Sequence, residues 1–197
     1  MENNVAIIFI GTNKYVDFFE DYYDSVFASF LPSTKKTIFA FTDQEDHWLF
    51  KQDDVVTCKI KHQDWPFITL KRFEFISQAA EKLKEYSDIV FMDADMYVTN
   101  TVDENFLNLY TKYFGVHHPG QFMYGDVCEF ESDPASTACV KEPLKKLYRQ
   151  GCFWGGKNPY ILDMILSLKD NVQTDFDNKI IAAWHDESHL NKFFSDR

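Results

Sequence analysis

Asp93 and Asp95 flank a single small residue at the end of the run Ile89-Val90-Phe91-Met92. An apolar strand closed by two carboxylates carries hard oxygen ligands to the carboxyl end of a sheet, where open α/β folds bind their ligands. Such ligands suit Mg2+ or Mn2+. A solvated turn with two capping aspartates is the alternative for this motif alone. A second dense stretch is Trp184-His185-Asp186-Glu187-Ser188-His189-Leu190-Asn191. Its two histidines stand four apart, which raises a zinc-peptidase reading. That motif needs Glu directly after the first His and both His on one helical face. Asp186 stands in that place, and as the N-cap of a helix over Ser188 to Phe194 it would leave His185 outside. An ordinary capped helix with a buried Trp is the alternative. The third stretch, Gly151-Cys152-Phe153-Trp154-Gly155-Gly156, gathers three of only seven glycines. Glycines there let backbone approach a ligand, or let a strand bend. Neither G-x-G-x-x-G after the first strand nor G-x-x-x-x-G-K-[ST] occurs, so a bound diphosphate would lean on a metal.

The elements that must position these residues follow from hydrophobic period. Val5 to Ile10, ended by Gly11, reads as a buried first strand. Phe19, Tyr22, Tyr23, Val26, Phe27 and Phe30 recur at three and four, so Val16 to Phe30 reads as an amphipathic helix stopped by Pro32. Thr37 to Phe41 and Val55 to Ile60 read as strands. Phe67 to Tyr86 reads as one helix with Leu70, Phe73, Ile76, Ala80 and Leu83 on its stripe. Asp88 to Met92 is the strand that ends at Asp93. Strands alternating with helices predict an α/β fold with a mostly parallel, twisted sheet. Further on, Phe114 to Val116 and Cys152 to Trp154 read as strands and Asn158 to Leu168 as a helix. Tyr124 to Pro143 reads as a long loop or hairpin. With no repeat or linker, residues 1–197 are expected to form one domain.

Composition bounds the partners. The formal net charge is −11, which repels nucleic acid and anionic lipid. It also makes a diphosphate ligand awkward unless a divalent cation supplies positive charge. Aromatics make up 17%; they could line a sugar or base site, but core packing is the reading favoured. Cys58, Cys128, Cys139 and Cys152 include no CxxC pair, and scattered thiols suit a reducing compartment. The start lacks a basic n-region, and no apolar stretch approaches the roughly 20 residues that span a bilayer. A cytoplasmic protein with no membrane span is expected.

Read together, the motifs resemble glycosyltransferase family six, the retaining family of the ABO blood-group transferases, the α-1,3-galactosyltransferase and bacterial relatives. The matching pieces, in family order, are Lys14-Tyr15-Val16, Phe41-Thr42-Asp43, Lys71-Arg72-Phe73-Glu74, Asp93-Ala94-Asp95-Met96, His118-Pro119-Gly120, Gly151 to Gly156 and Trp184 to Asn191. The resemblance implies a Rossmann-like GT-A fold in a soluble member of bacterial or phage type. It implies a UDP-sugar donor, UDP-galactose or UDP-N-acetylgalactosamine, and transfer in α linkage to O3 of a galactose-containing glycan, with UDP-sugar hydrolysis as an accompanying reaction. Asp93 and Asp95 match metal ligands for Mn2+ (or Mg2+), with Ala94 beside the ribose. Ile10, Thr12 and Tyr15 fall where the family holds uridine, and Arg72 and Asp186 where it holds the donor sugar. Gln150, Gly151 and Cys152 fall at the donor site, Gln150 and Cys152 at positions that tune donor choice. His118 and Trp184 match acceptor contacts, and Glu187 the catalytic carboxylate. Two features depart from the family: Cys152 replaces a small Gly or Ala, and the chain stops at Arg197, before the basic segment that closes over the donor in relatives.

Two other classes remain. A degenerate relative would bind a sugar nucleotide without transfer. A haloacid-dehalogenase-like phosphatase also uses an apolar strand and DxD, but on its first strand and with Thr or Val two places after the second Asp. Here the motif is mid-chain and Tyr97 holds that place.

Overall fold

Val5 to Phe9 are fully buried, and the run forms strand β1, Asn4–Ile10. A strand covered on both faces needs a continuous apolar run rather than an alternating one, which is what these residues supply. The computed structural model describes residues 3–124 and 128–197. Strands β2 (Lys35–Thr42), β3 (Val55–Lys59), β4 (Asp88–Met92), β5 (Tyr113–His117) and β6 (Arg149–Lys157) join β1 in a six-stranded sheet. The strand order is β3-β2-β1-β4-β6-β5. β1 runs parallel to β2 and to β4, β2 runs parallel to β3, and β6 is antiparallel to β4. The mostly parallel α/β sheet expected from the sequence is present. The order reverses between β1 and β4, which makes their carboxyl ends the topological switch point.

The helices depart from their expected bounds in instructive ways. The stretch expected as one helix over Val16 to Phe30 opens as a 3-10 helix, Asn13–Phe18, before α1, Phe19–Ser29. The helix expected over Phe67 to Tyr86 is three short ones: α2 (Phe67–Leu70), α3 (Arg72–Ser77) and α4 (Ala80–Leu83). Lys71 and Ala79, with ψ near zero at 11° and 10°, break the ladder. The apolar stripe survives the breaks, since Leu70, Phe73, Ile76 and Leu83 are all buried. A short α5 covers Pro119–Tyr124, α6 runs over Tyr160–Asp177, well past Leu168, and α7 is His185–Ser195. The stretch expected as a loop over 124–143 has no regular structure from Cys128 on; residues 125–127 lie outside the described residues.

Backbone contacts divide the chain into two compact units. The first comprises Met1–His62, Gln78–Phe114 and Cys152–Leu162, the second Gln63–Ser77, Gly115–Gly151 and Asp163–Arg197. In the first, one face of the sheet packs under α1, with Phe9 edge-on to Phe19 at 4.7 Å and to Tyr22 at 4.9 Å. Phe91 on β4 stacks on Trp154 of β6 at 5.1 Å. The second unit uses polar staples. Asp175 of α6 accepts from the Ser136 hydroxyl and the Thr137 N–H. Glu131, 9% exposed, accepts from the N–H groups of Ser132, Asp133 and Ala183 at 2.8 Å each. These bonds satisfy backbone that an irregular segment would otherwise leave unpaired. No helix among the described residues is long and apolar enough to cross a membrane, and no disulfide joins Cys58, Cys128, Cys139 or Cys152 among them.

Candidate functional site

In the first unit the sequence motifs meet at the switch point. Ile8 of β1 pairs with Phe91 of β4, so Ile10 stands level with Asp93 two residues further along each parallel strand. Met92 pairs with Phe153, and the Asp93 N–H continues the antiparallel pairing by donating to the Cys152 carbonyl at 2.9 Å. The Met96 N–H donates to the Asp93 carbonyl at 3.1 Å, closing a turn over Ala94 and Asp95. Ala94 is buried beneath that turn, 7% exposed, while the Asp95 side chain is exposed and Asp93 half-buried. Beneath Asp93 lies the buried Tyr22 phenol, donating to the Ile8 carbonyl; burial and then the Asp93 charge push its pKa up. Past β1, Thr12 is buried and its hydroxyl bonds His62 Nδ1 at 2.8 Å, while Tyr15 is 45% exposed. The first unit thus gathers Ile10, Thr12, Tyr15, Asp93, Ala94, Asp95 and Cys152 at the carboxyl ends of β1 and β4 and the facing start of β6.

No set of three or more His, Cys, Asp or Glu side chains suited to a metal occurs among the described residues. The pair Asp93 and Asp95 nonetheless fits a Mg2+ or Mn2+ ion of the kind that takes one or two carboxylates and completes its shell from substrate phosphates. Exposure of Asp95 leaves it open to such a shared ion. The zinc reading of His185 and His189 does not fit, because His189 is 1% exposed and lies 3.7 Å from Asp175 in the polar staple.

In the second unit the chemistry centres on Gly151. Arg72, from the first turn of α3, donates to the Gly151 carbonyl at 2.7 Å and pairs with Asp186 at 2.8 Å. Both partners are more than nine-tenths buried. Removing either would strand the other charge, at a cost of roughly 3–5 kcal/mol. The Gly151 N–H donates to Glu187 Oε2 at 2.6 Å. A Cβ on Gly151 would stand 3.2 Å from that oxygen, tighter than an ordinary contact, so glycine eases the close approach of Glu187, while the 3.5 Å to Arg72 is ordinary contact. Asp186 was expected to cap a helix; it lies instead inside the first turn of α7, with Trp184 at the N-cap position. Its carboxylate is taken by Arg72, a partner no local rule reveals. His185 enters the helix at φ 50, a left-handed conformation that costs a non-glycine residue on the order of 1–3 kcal/mol.

The remaining expected residues of this unit are less gathered. Gln150 is half-buried next to Gly151, and Trp184 is 50% exposed. His118 Nδ1 accepts from the Gly120 N–H at 3.0 Å and lies 3.1 Å from Cys128 Sγ, and its ring edge meets Tyr148. Sequence reasoning missed Tyr22, His62, Cys128 and Tyr148. Spacing puts Tyr22 on the stripe of the first helix but marks none of these four as a site residue, although Tyr148 lies only three positions before Gly151.

The model of a family described as Glycosyltransferase family 6 matches residues 2–196. The O-antigen biosynthesis glycosyltransferase WbnI of Escherichia coli is 29% identical over 192 residues, 96% of this chain and 81% of the relative. Histo-blood group ABO system transferase 2 of Rattus norvegicus is 26% identical, covering 96% of this chain and 58% of the relative. Globoside alpha-1,3-N-acetylgalactosaminyltransferase 1 of Homo sapiens is 25% identical, covering 96% and 56%. The chain therefore spans little more than half the length of these mammalian relatives.

Proposed function

Because the chain belongs to glycosyltransferase family 6, we propose that it transfers galactose or N-acetylgalactosamine from a UDP-sugar to O3 of a galactoside, with retention and so in α linkage. The observation that carries this reading is the clamp on Gly151. Arg72, itself paired with Asp186, donates to the Gly151 carbonyl, and the half-buried Glu187 carboxylate accepts from the Gly151 N–H, so the two groups hold the successive peptides that flank one glycine. That arrangement presents fixed polar groups for sugar hydroxyls and one carboxylate for an anomeric centre. The relatives include an α-1,3-N-acetylgalactosaminyltransferase, which supports the donor class.

In this reading Ile10, Thr12 and Tyr15 bind the uridine and Ala94 lies by the ribose. Asp93 and Asp95 hold Mn2+ or Mg2+, which when bound supplies positive charge to the diphosphate. Arg72 and Asp186 orient the donor sugar hydroxyls, and Gln150, Gly151 and Cys152 border the sugar. As the bond from the anomeric carbon to UDP breaks, Glu187 sets its negative charge against the positive charge developing there. His118 and Trp184 position the acceptor, whose hydroxyl oxygen forms the new bond.

The test is product stereochemistry. Incubation with each UDP-sugar, Mn2+ and a terminal galactoside is expected to yield a disaccharide whose anomeric proton shows the small coupling of an α linkage. A β-linked product, or phosphate release from simple phosphate esters without transfer, would contradict the proposal.

A further inference from the structure

Tyr148 stands immediately before β6 and is 1% exposed. Its position is fixed from several sides. Its N–H donates to Gln121 Oε1 at 2.7 Å, and its carbonyl accepts from the His118 N–H at 2.9 Å. Its ring meets Phe130 edge-on at 5.0 Å and His118 edge-on at 5.8 Å. A side chain held this firmly has little freedom in where it puts its hydroxyl. That hydroxyl is closed off from solvent and has no hydrogen-bond partner among the described residues. Buried polar atoms are almost always paired, and each exception calls for a reason. Phenylalanine would fill the same space without stranding a polar atom.

The reason lies beside it. The Glu187 carboxylate adjoins the phenol closely enough for both its charge and hydrogen bonding to act on it, in a geometry short of a regular hydrogen bond. Among the described residues Gly151 N–H is the one backbone donor to that carboxylate. A carboxylate has room for about four hydrogen bonds, so Glu187 retains acceptor capacity. We propose that Tyr148 is a positioning residue for Glu187: its O–H is the second donor to the carboxylate, fixing the orientation in which Glu187 faces the reacting centre. This inference rests on the role given to Glu187 above.

Burial, and then the Glu187 charge, push the phenol pKa far up, with Cys128 and Asp186 adding to the effect. The phenol therefore keeps its proton across the working pH range and meets the carboxylate as a donor. The groups around it that bear or can bear charge are Glu187 and Asp186 of α7, the Cys128 thiol and the His118 ring, and Arg72 neutralises Asp186. Glu187 is the carboxylate among them without a cation.

The experiment compares wild type, Tyr148→Phe, Glu187→Gln and the double variant. The readouts are UDP release from UDP-galactose and from UDP-N-acetylgalactosamine with Mn2+, and thermal melting of each protein. Tyr148→Phe is expected to melt near the wild-type temperature, because the substitution keeps the ring and its packing against Phe130 and His118. Its donor KM should stay within about twofold while kcat falls roughly 10-fold or more, the loss of a hydrogen bond to a charged group. The double variant should be no slower than Glu187→Gln, since Tyr148 acts through that carboxylate. A kcat within about twofold of wild type, a fall in kcat that tracks a fall in melting temperature, or losses that multiply in the double variant would each overturn the inference. If Glu187→Gln is impaired and Tyr148→Phe is not, this inference alone falls. If Glu187→Gln matches wild type, Glu187 is structural and this inference falls with its role; if wild type releases no UDP, the transferase reading falls and takes this inference with it.

Discussion

Asp186 and Glu187 are adjacent acids with opposite circumstances. Arg72 neutralises Asp186 at 2.8 Å, whereas Glu187 accepts one neutral N–H and stays half-buried. A charge already paired has little left to give a developing cation, so Glu187 is the carboxylate suited to the anomeric centre. Glu187→Gln keeps the shape and removes the charge. Donor affinity, measured by calorimetry, should remain near wild type while turnover falls by roughly 10²-fold or more. A kcat within a few-fold of wild type would make Glu187 structural. Cys152 sets a second expectation at this scale. It is half-buried beside Asp93, where its carbonyl holds the aspartate N–H, and it is one of the residues proposed to tune donor choice. A bulky thiol leaves less room for an acetamido group, and Gln150 offers in return one hydrogen bond worth only about 0.5–1.5 kcal/mol. Cys152→Gly should raise use of UDP-N-acetylgalactosamine relative to UDP-galactose in a competition assay. An unmoved ratio in an enzyme that already prefers the acetamido sugar would refute the steric account.

At the scale of elements, α7 is held by more than its apolar face. His189 sits 1% exposed between Thr137 and Asp175. Burial pushes its pKa down from 6.5 to about 4, opposed by the charges of Asp175 and Glu131. Between those two values the unfolded chain takes up a proton that the folded chain refuses, so stability must fall as pH drops. Melting temperature should therefore fall from pH 7 to pH 5, and the fall should be shallower in His189→Gln. Equal slopes would remove His189 from the acid sensitivity of the fold. The same element shows how far the sequence is legible. β1 to β4 lie within a residue or two of their expected bounds because a continuous apolar run ended by Gly11 or Asp93 admits few other structures. The α2–α4 stretch was misread as one helix because an apolar stripe records which side is buried, not whether the hydrogen-bond ladder is continuous. Asp186 looked like a cap because local rules cannot see Arg72. Nothing in the sequence singles out Tyr148, because a phenol's role depends on what its oxygen meets.

At the scale of the molecule, the formal charge of −11 bears on the donor. Arg72, the cation in the sugar-binding cluster, is already committed to Asp186 and Gly151. A UDP-sugar would bring further negative charge to an acidic surface, so its diphosphate would call for a counter-charge of the kind a divalent cation supplies. Asp93 and Asp95, at the switch point between β1 and β4, are the residues proposed to recruit it. The most direct measurement is UDP release from UDP-galactose and UDP-N-acetylgalactosamine in Mn2+, in EDTA, and in Mn2+ with Asp95→Asn. UDP should be released by the wild-type protein in Mn2+ and accelerated by a galactoside, with both EDTA and Asp95→Asn abolishing most of the rate. Release that is undiminished in EDTA and in Asp95→Asn, or no release from either donor under any condition, would contradict the account.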